Sequence, residues 1–121
     1  MPTWVLDVVI IAFVVLFLVK RMVPAKGVRT ISTTDLKSIL KDKNIQFIDV
    51  RTPGEYKSNH VREFKNIPLN TLGQQAQSLS KDQDIVVICQ SGMRSSQASK
   101  QLKKMGFEKV TNVRGGMSAW S

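Results

Sequence analysis

Cysteine and histidine occur once each in these 121 residues. Cys89 therefore has no partner for an internal disulfide, and Cys89 with His60 cannot make up the ligand set of a structural zinc. Ordinary packing must hold the fold. A lone cysteine also fits a reducing compartment. Acidic residues are scarce as well: 9 Asp and Glu stand against 18 Lys and Arg, a formal charge of +9 that favours anionic partners. The basic residues are spread from Lys20 to Arg114 in runs no longer than two, without interleaved aromatics. That pattern is a solvated surface, not a nucleic-acid platform, so no nucleic-acid partner is expected. Internal repeats and low-complexity tracts are absent too, which leaves one compact unit of about 95 residues behind an apolar N-terminus.

That N-terminus, VVIIAFVVLFLV at 8–19, has no polar face. Twelve residues rise only ~18 Å, but the stretch from Met1 to Val19 reaches ~28 Å against a hydrocarbon core of ~30 Å. Asp7 is its only charge, Trp4 suits an interface, and Lys20 and Arg21 close the other end. Basic residues follow the run instead of preceding it, opposite to a cleaved signal peptide. The expectation is a retained transmembrane anchor over 1–21, meeting the membrane through residues 4–21. A helix buried against a partner subunit is the alternative. Lys20, Arg21, Lys26 and Arg29 all follow the span, so the charge-bias rule places the rest at the cytoplasmic side of a single-pass protein of the cell membrane. Pro24 and Gly27 mark a linker over 22–27, and residues 28–121 form the domain.

Within the domain, STTDLKSILK places Leu36, Ile39 and Leu40 on one helical stripe behind Ser32 and Asp35. IQFIDV (45–50) is a buried strand, and TPGE then opens a helix with Thr52 as cap, Pro53 at the first position and Glu55 as the capping-box acid. KNIPL is a brief extended piece, and Leu72, Ala76 and Leu79 give a further helix weakened by Gly73. DIVVICQ lacks alternation, as a strand covered on both faces does. A helix over 95–105 stops at Gly106, KVTNV is a last strand, and GGMSAW turns into a terminal helical piece. Strands alternating with helices give an α/β fold with a central parallel sheet.

In such sheets ligands gather beyond the carboxyl ends of the strands, where Asp49 with Arg51 and Cys89 with QSGMRSS both stand. Gly92 lets the second loop curl, and the loop enters a helix whose first N–H groups lack intrahelical partners. Inward N–H groups make an anion nest. A thiol at its rim beside Arg94 would ionise well below the ordinary ~8.5. A plain buried cysteine remains the other reading of the same residues.

The chain resembles a single-domain rhodanese over 28–121, through IDVRTPGEY (48–56), NHV with NIPL (59–69), CQSGMRS (89–95) and VRGGMSAW (113–120). The resemblance implies a three-layer α/β/α fold and a sulfurtransferase in which Cys89 carries sulfur as a persulfide, with no metal and no other cofactor. It makes Gln90, Ser91, Gly92, Met93, Arg94 and Ser95 the substrate cradle, with Arg94 on a small anionic sulfur donor. Asp49 and Arg51 shape the entrance or form a structural ion pair, and His60 orders a loop. The implied acceptor is a thiol or a protein. The chain departs from the family pattern at 59–64, where Asn59 precedes His60 and REF follows, so docking there is expected to differ. A membrane-tethered interaction module is the alternative in another class. A phosphatase or arsenate reductase is disfavoured, because a cysteine phosphatase needs five residues between Cys and Arg and here four intervene.

Overall fold

The computed structural model describes residues 2–22 and 27–121, and of residues 19–22 only the backbone. The expected linker thus lies largely outside the described residues, as do the side chains of Lys20, Arg21 and Lys26. Helix α1 spans Thr3–Met22. From Leu6 to Leu18 its apolar side chains are exposed, Phe13 at 72% and Leu6 at 68%, while Val5 is half-buried. Among the described residues, no helix is long and apolar enough to cross a membrane. Side chains are described only to Leu18, and residues 3–18 rise ~24 Å, short of the ~30 Å hydrocarbon core. The expected transmembrane span therefore does not emerge as such from the structure.

Five strands among the described residues form one parallel sheet in the order β1-β5-β4-β2-β3. These are β1 (Val28–Ile31), β2 (Ile45–Asp49), β3 (Lys65–Asn66), β4 (Asp84–Ile88) and β5 (Val110–Val113). β1 was not expected from VRTI: it is a four-residue edge strand whose register against β5, Val28 opposite Val110, decides its conformation where local sequence does not. Between the strands lie α2 (Thr33–Ile39), α3 (Pro53–Ser58), α4 (Leu72–Gln75) and α5 (Met93–Lys104), and α6 (Gly116–Ala119) follows β5. Both expected capping boxes form, at Ser32 with Asp35 and at Thr52 with Glu55. The helix expected over 72–79 is broken instead: α4 is one turn flanked by 3₁₀ turns at Leu69–Thr71 and Ala76–Ser78. The turn that holds Gly73 is the helical one, and the regular helix is lost after Gln75.

The alternation of strand side chains builds two cores. Ile48 and Val50, Ile85, Val87 and Cys89, and Val110 point to one face, where Ala98 and Leu102 of α5 and Leu72 of α4 cover them. Phe47, Val86, Ile88 and Val113 point to the other, against Leu36 of α2, Val61, Phe64 and Met117 of α6. The sheet is thus covered on both faces, which is why β4 reads as an unbroken apolar run. Trp120 packs against the second core, with the Lys37 ammonium 5.3 Å from its ring centroid.

Candidate active site

Cys89 follows β4 and continues the Ile85, Val87 alternation, so its side chain faces α5. The loop then takes only three residues to reach the helix, since α5 opens at Met93, two positions earlier than expected. Gly92, at φ 105°, makes that turn possible, because a side chain there would be strained.

The thiol lies deeper than a rim position: Cys89 is fully buried. The Gly92 amide donates to Sγ at 3.0 Å, and the Ser95 hydroxyl oxygen is 3.3 Å from it. Burial pushes the thiol pKa up, but the Ser95 hydroxyl and the amides of Ser95, Gly92 and Ser91 outweigh it and hold the pKa below its ordinary value. The Ser95 hydroxyl also lies 3.1 Å from the Gly92 carbonyl, to which it donates. It can accept from a neutral thiol while donating to that carbonyl, or turn its hydrogen to a thiolate.

The C-terminal segment ties down the first two backbone carbonyls of the loop. Met117 and Ser118 amides donate to the carbonyls of Cys89 (2.8 Å) and Gln90 (2.9 Å). This approach requires Gly116: a Cβ there would stand 2.2 Å from the Cys89 carbonyl oxygen, and its φ is 55°. In the sequence GGMSAW marks only a turn into a terminal helical piece, with no sign that Gly116 meets the loop.

The remaining cradle residues do not converge on the sulfur. Met93 points outward, 79% exposed. Gln90 sends its side chain sideways, accepting from Arg51 Nη1 at 3.3 Å and donating to the Ser118 hydroxyl at 3.2 Å. Arg94 departs most from expectation. Its Nη1 and Nη2 donate to Glu55 Oε1 (2.6 Å) and Oε2 (2.9 Å), a two-pronged pair about one-third exposed. Arg94 holds the Glu55 carboxyl at a pKa of about 2, and Glu55 raises that of Arg94 in turn. Thr52 to Glu55 gave a capping signal, but nothing in the sequence paired Glu55 with a residue 39 positions away.

Asp49 and Arg51 form the structural ion pair, not an entrance. Both are buried, and Arg51 Nε and Nη2 donate to the Asp49 carboxylate at 2.9 to 3.1 Å while Nη2 also donates to the Asn59 carbonyl at 2.6 Å. Asn66 braces the same turn through the carbonyls of Asp49 and Arg51. His60 lies against the ring of Tyr56, centroids 3.8 Å apart, with Nδ1 2.8 Å from the Tyr56 carbonyl oxygen. It orders the loop. Among the described residues no group of three or more His, Cys, Asp or Glu is placed to hold a metal.

The thiol thus stands buried at the end of the central strand with loop amides beside it, and the family model of the rhodanese-like domain matches residues 32–121. The chain belongs to the rhodanese-like family. A sulfurtransferase of Allochromatium vinosum is 33% identical to this rhodanese-like chain over 95 residues, 78% of this chain and 89% of that protein. Bacillus subtilis YrkF is 39% identical over 80 residues, 66% of this chain but only 43% of YrkF. Among solved structures, a rhodanese-like domain protein from Staphylococcus aureus superposes with a TM-score of 0.71 at 33% identity, covering 77% of this chain and 91% of that one.

Proposed function

We propose that this rhodanese-like domain is a sulfurtransferase that moves a sulfane sulfur through a persulfide on Cys89. The observation that carries the reading is the pair of groups set on one sulfur, the Gly92 amide at 3.0 Å and the Ser95 hydroxyl at 3.3 Å, with the amides of Ser91 and Ser95 adding to the lowering of its pKa. They favour the thiolate, which attacks the outer sulfur of a donor R–S⁻ group. The new S–S bond takes that sulfur from R, and R leaves with the bonding electron pair. The same donors then face the negative persulfide. An outside nucleophile attacks the terminal sulfur, and Cys89 leaves as thiolate. With one cysteine, this chain cannot resolve the persulfide into an internal disulfide, so a thiol or protein acceptor must come from outside.

The test is intact mass after incubation with a sulfane donor. Gain of one sulfur on the wild type, and none on Cys89→Ser, is the expected result. Equal masses would favour an interaction module. Phosphoryl transfer is the weaker reading on geometric grounds, because the guanidinium that would fork onto an oxyanion is already forked onto Glu55.

The same proposal includes a membrane-bound N-terminus. Exposed apolar side chains along one helix, from Leu6 to Leu18, favour burial in hydrocarbon. The basic residues after it favour a cytoplasmic domain. Alkaline carbonate extraction of cell membranes tests the association: the full chain should stay in the membrane pellet, and its release would overturn the assignment. Protease added outside intact cells should spare the domain.

A further inference from the structure

Gln90 follows Cys89 directly, yet its side chain is given over to two other elements. Oε1 accepts from Arg51 Nη1 at 3.3 Å, just beyond β2, and Nε2 donates to the Ser118 hydroxyl at 3.2 Å, on α6. The Ser118 amide also donates to the Gln90 carbonyl at 2.9 Å. Ser118 therefore meets Gln90 twice. The segment that carries it is itself tied down, since the Thr33 hydroxyl donates to the Ala119 carbonyl at 3.2 Å and Trp120 packs against the second core.

These ties reach the sulfur through one peptide group. A trans peptide is planar, so the Gln90 carbonyl and the Ser91 N–H point in opposite directions. With the carbonyl bonded to Ser118, the Ser91 N–H is turned to the opposite side, and it is one of the amides that favour the Cys89 thiolate. Rotation of that one group would withdraw the N–H and present a carbonyl in its place. Resting on the sulfurtransferase reading, we propose that Gln90 and Ser118 are positioning residues, which fix the Gln90–Ser91 peptide group so that its N–H serves first the thiolate and then the persulfide of Cys89.

The experiment follows the rate of Cys89 alkylation by iodoacetamide against pH in the full chain, with urea unfolding as the control for folding. Gln90→Leu removes both side-chain ties and keeps the backbone bond from Ser118. Arg51 retains its bonds to Asp49 and Asn59 in that variant, so the fold should hold. The charged groups around the loop, Arg94 with Glu55 and Arg51 with Asp49, stay paired throughout. The midpoint of Gln90→Leu should lie above that of the wild type. At a pH below both midpoints its rate, relative to its own plateau, should be lower by about tenfold or less, the size of a weakened hydrogen bond to a charged group. Ser118→Ala, which loses only the hydroxyl, should move the midpoint the same way by less, and it decides alone if Gln90→Leu does not fold. The double variant should match Gln90→Leu, because the hydroxyl acts only through Gln90. A loop that is merely looser would alkylate faster at every pH with its midpoint in place; that result, like coincident profiles, would overturn the positioning role. Neither touches the sulfurtransferase reading, which fails only if the wild type gains no sulfur from a sulfane donor.

Discussion

The guanidinium of Arg94 is locked to Glu55 by two parallel hydrogen bonds of 2.6 and 2.9 Å, although the two residues lie on different helices. Replacing the carboxylate by an amide removes the negative charge and leaves an oxygen for Thr52. Glu55→Gln should therefore release Arg94 toward anionic donors and lower the KM for thiosulfate by about tenfold or less, the size of a partly exposed charge-assisted hydrogen bond. Steady-state kinetics would show it. An unchanged KM in a folded variant would mean that Arg94 does not meet the donor.

The same pair makes stability depend on acid. Arg94 lowers the Glu55 pKa from 4.5 to about 2, so its contribution is fully present above 4.5 and is lost as pH falls toward 2. Because both side chains are about one-third exposed, that contribution is below ~1 kcal/mol. Urea midpoints of wild type and Glu55→Gln should differ at neutral pH and converge over that window.

Ser95 sets the state of the thiol. Ser95→Ala removes the hydroxyl 3.3 Å from Sγ while keeping the Ser95 amide. The pH midpoint for alkylation of Cys89 should lie below that of a free cysteine in the wild type and move upward in the variant. Coincident midpoints would show that the hydroxyl contributes nothing to ionisation.

Gly116 should tolerate no side chain. Gly116→Ala brings a Cβ onto the Cys89 carbonyl and into a left-handed conformation, so a loss of ~2 kcal/mol or more is expected. Persulfide formation should fall even in the folded fraction, because the loop carbonyls lose the geometry set by Met117 and Ser118. Chemical denaturation together with mass analysis separates the two effects.

Breaking the buried pair behind the site acts on stability alone. Asp49→Ala leaves Arg51 charged and buried, a change that costs ~3–5 kcal/mol. The variant should unfold at much lower urea, while whatever remains folded at low temperature should load sulfur at close to the normal rate.

Much of the fold could be read from local patterns because local physics decides those elements. The Ser32 and Thr52 capping boxes and the unbroken Ile85–Ile88 run each state their structure in a few residues. β1 and the broken helix near Leu72 were less legible, since a parallel edge register and the 3₁₀ turns around α4 depend on what packs across the chain. At the site, Gly92 and the following helix start pointed to loop amides near Cys89, but a plain buried cysteine stayed open until the resemblance favoured a nucleophile. The Arg94–Glu55 pair was not legible, because spacing along one helix reveals nothing about a carboxylate 39 residues earlier. Asp49 and Arg51 stood at the right strand end, but side chains at successive positions leave opposite faces of a sheet, and theirs leave the face away from the sulfur.

Cys89 combines two properties that usually exclude each other, ionisation favoured by its surroundings and no surface open to solvent. An exposed thiolate is soon carried by peroxide to sulfenic and sulfinic acids, and a second cysteine commonly rescues it. This chain has no such rescuer. What shields it from irreversible overoxidation is instead its burial in the core at the end of β4.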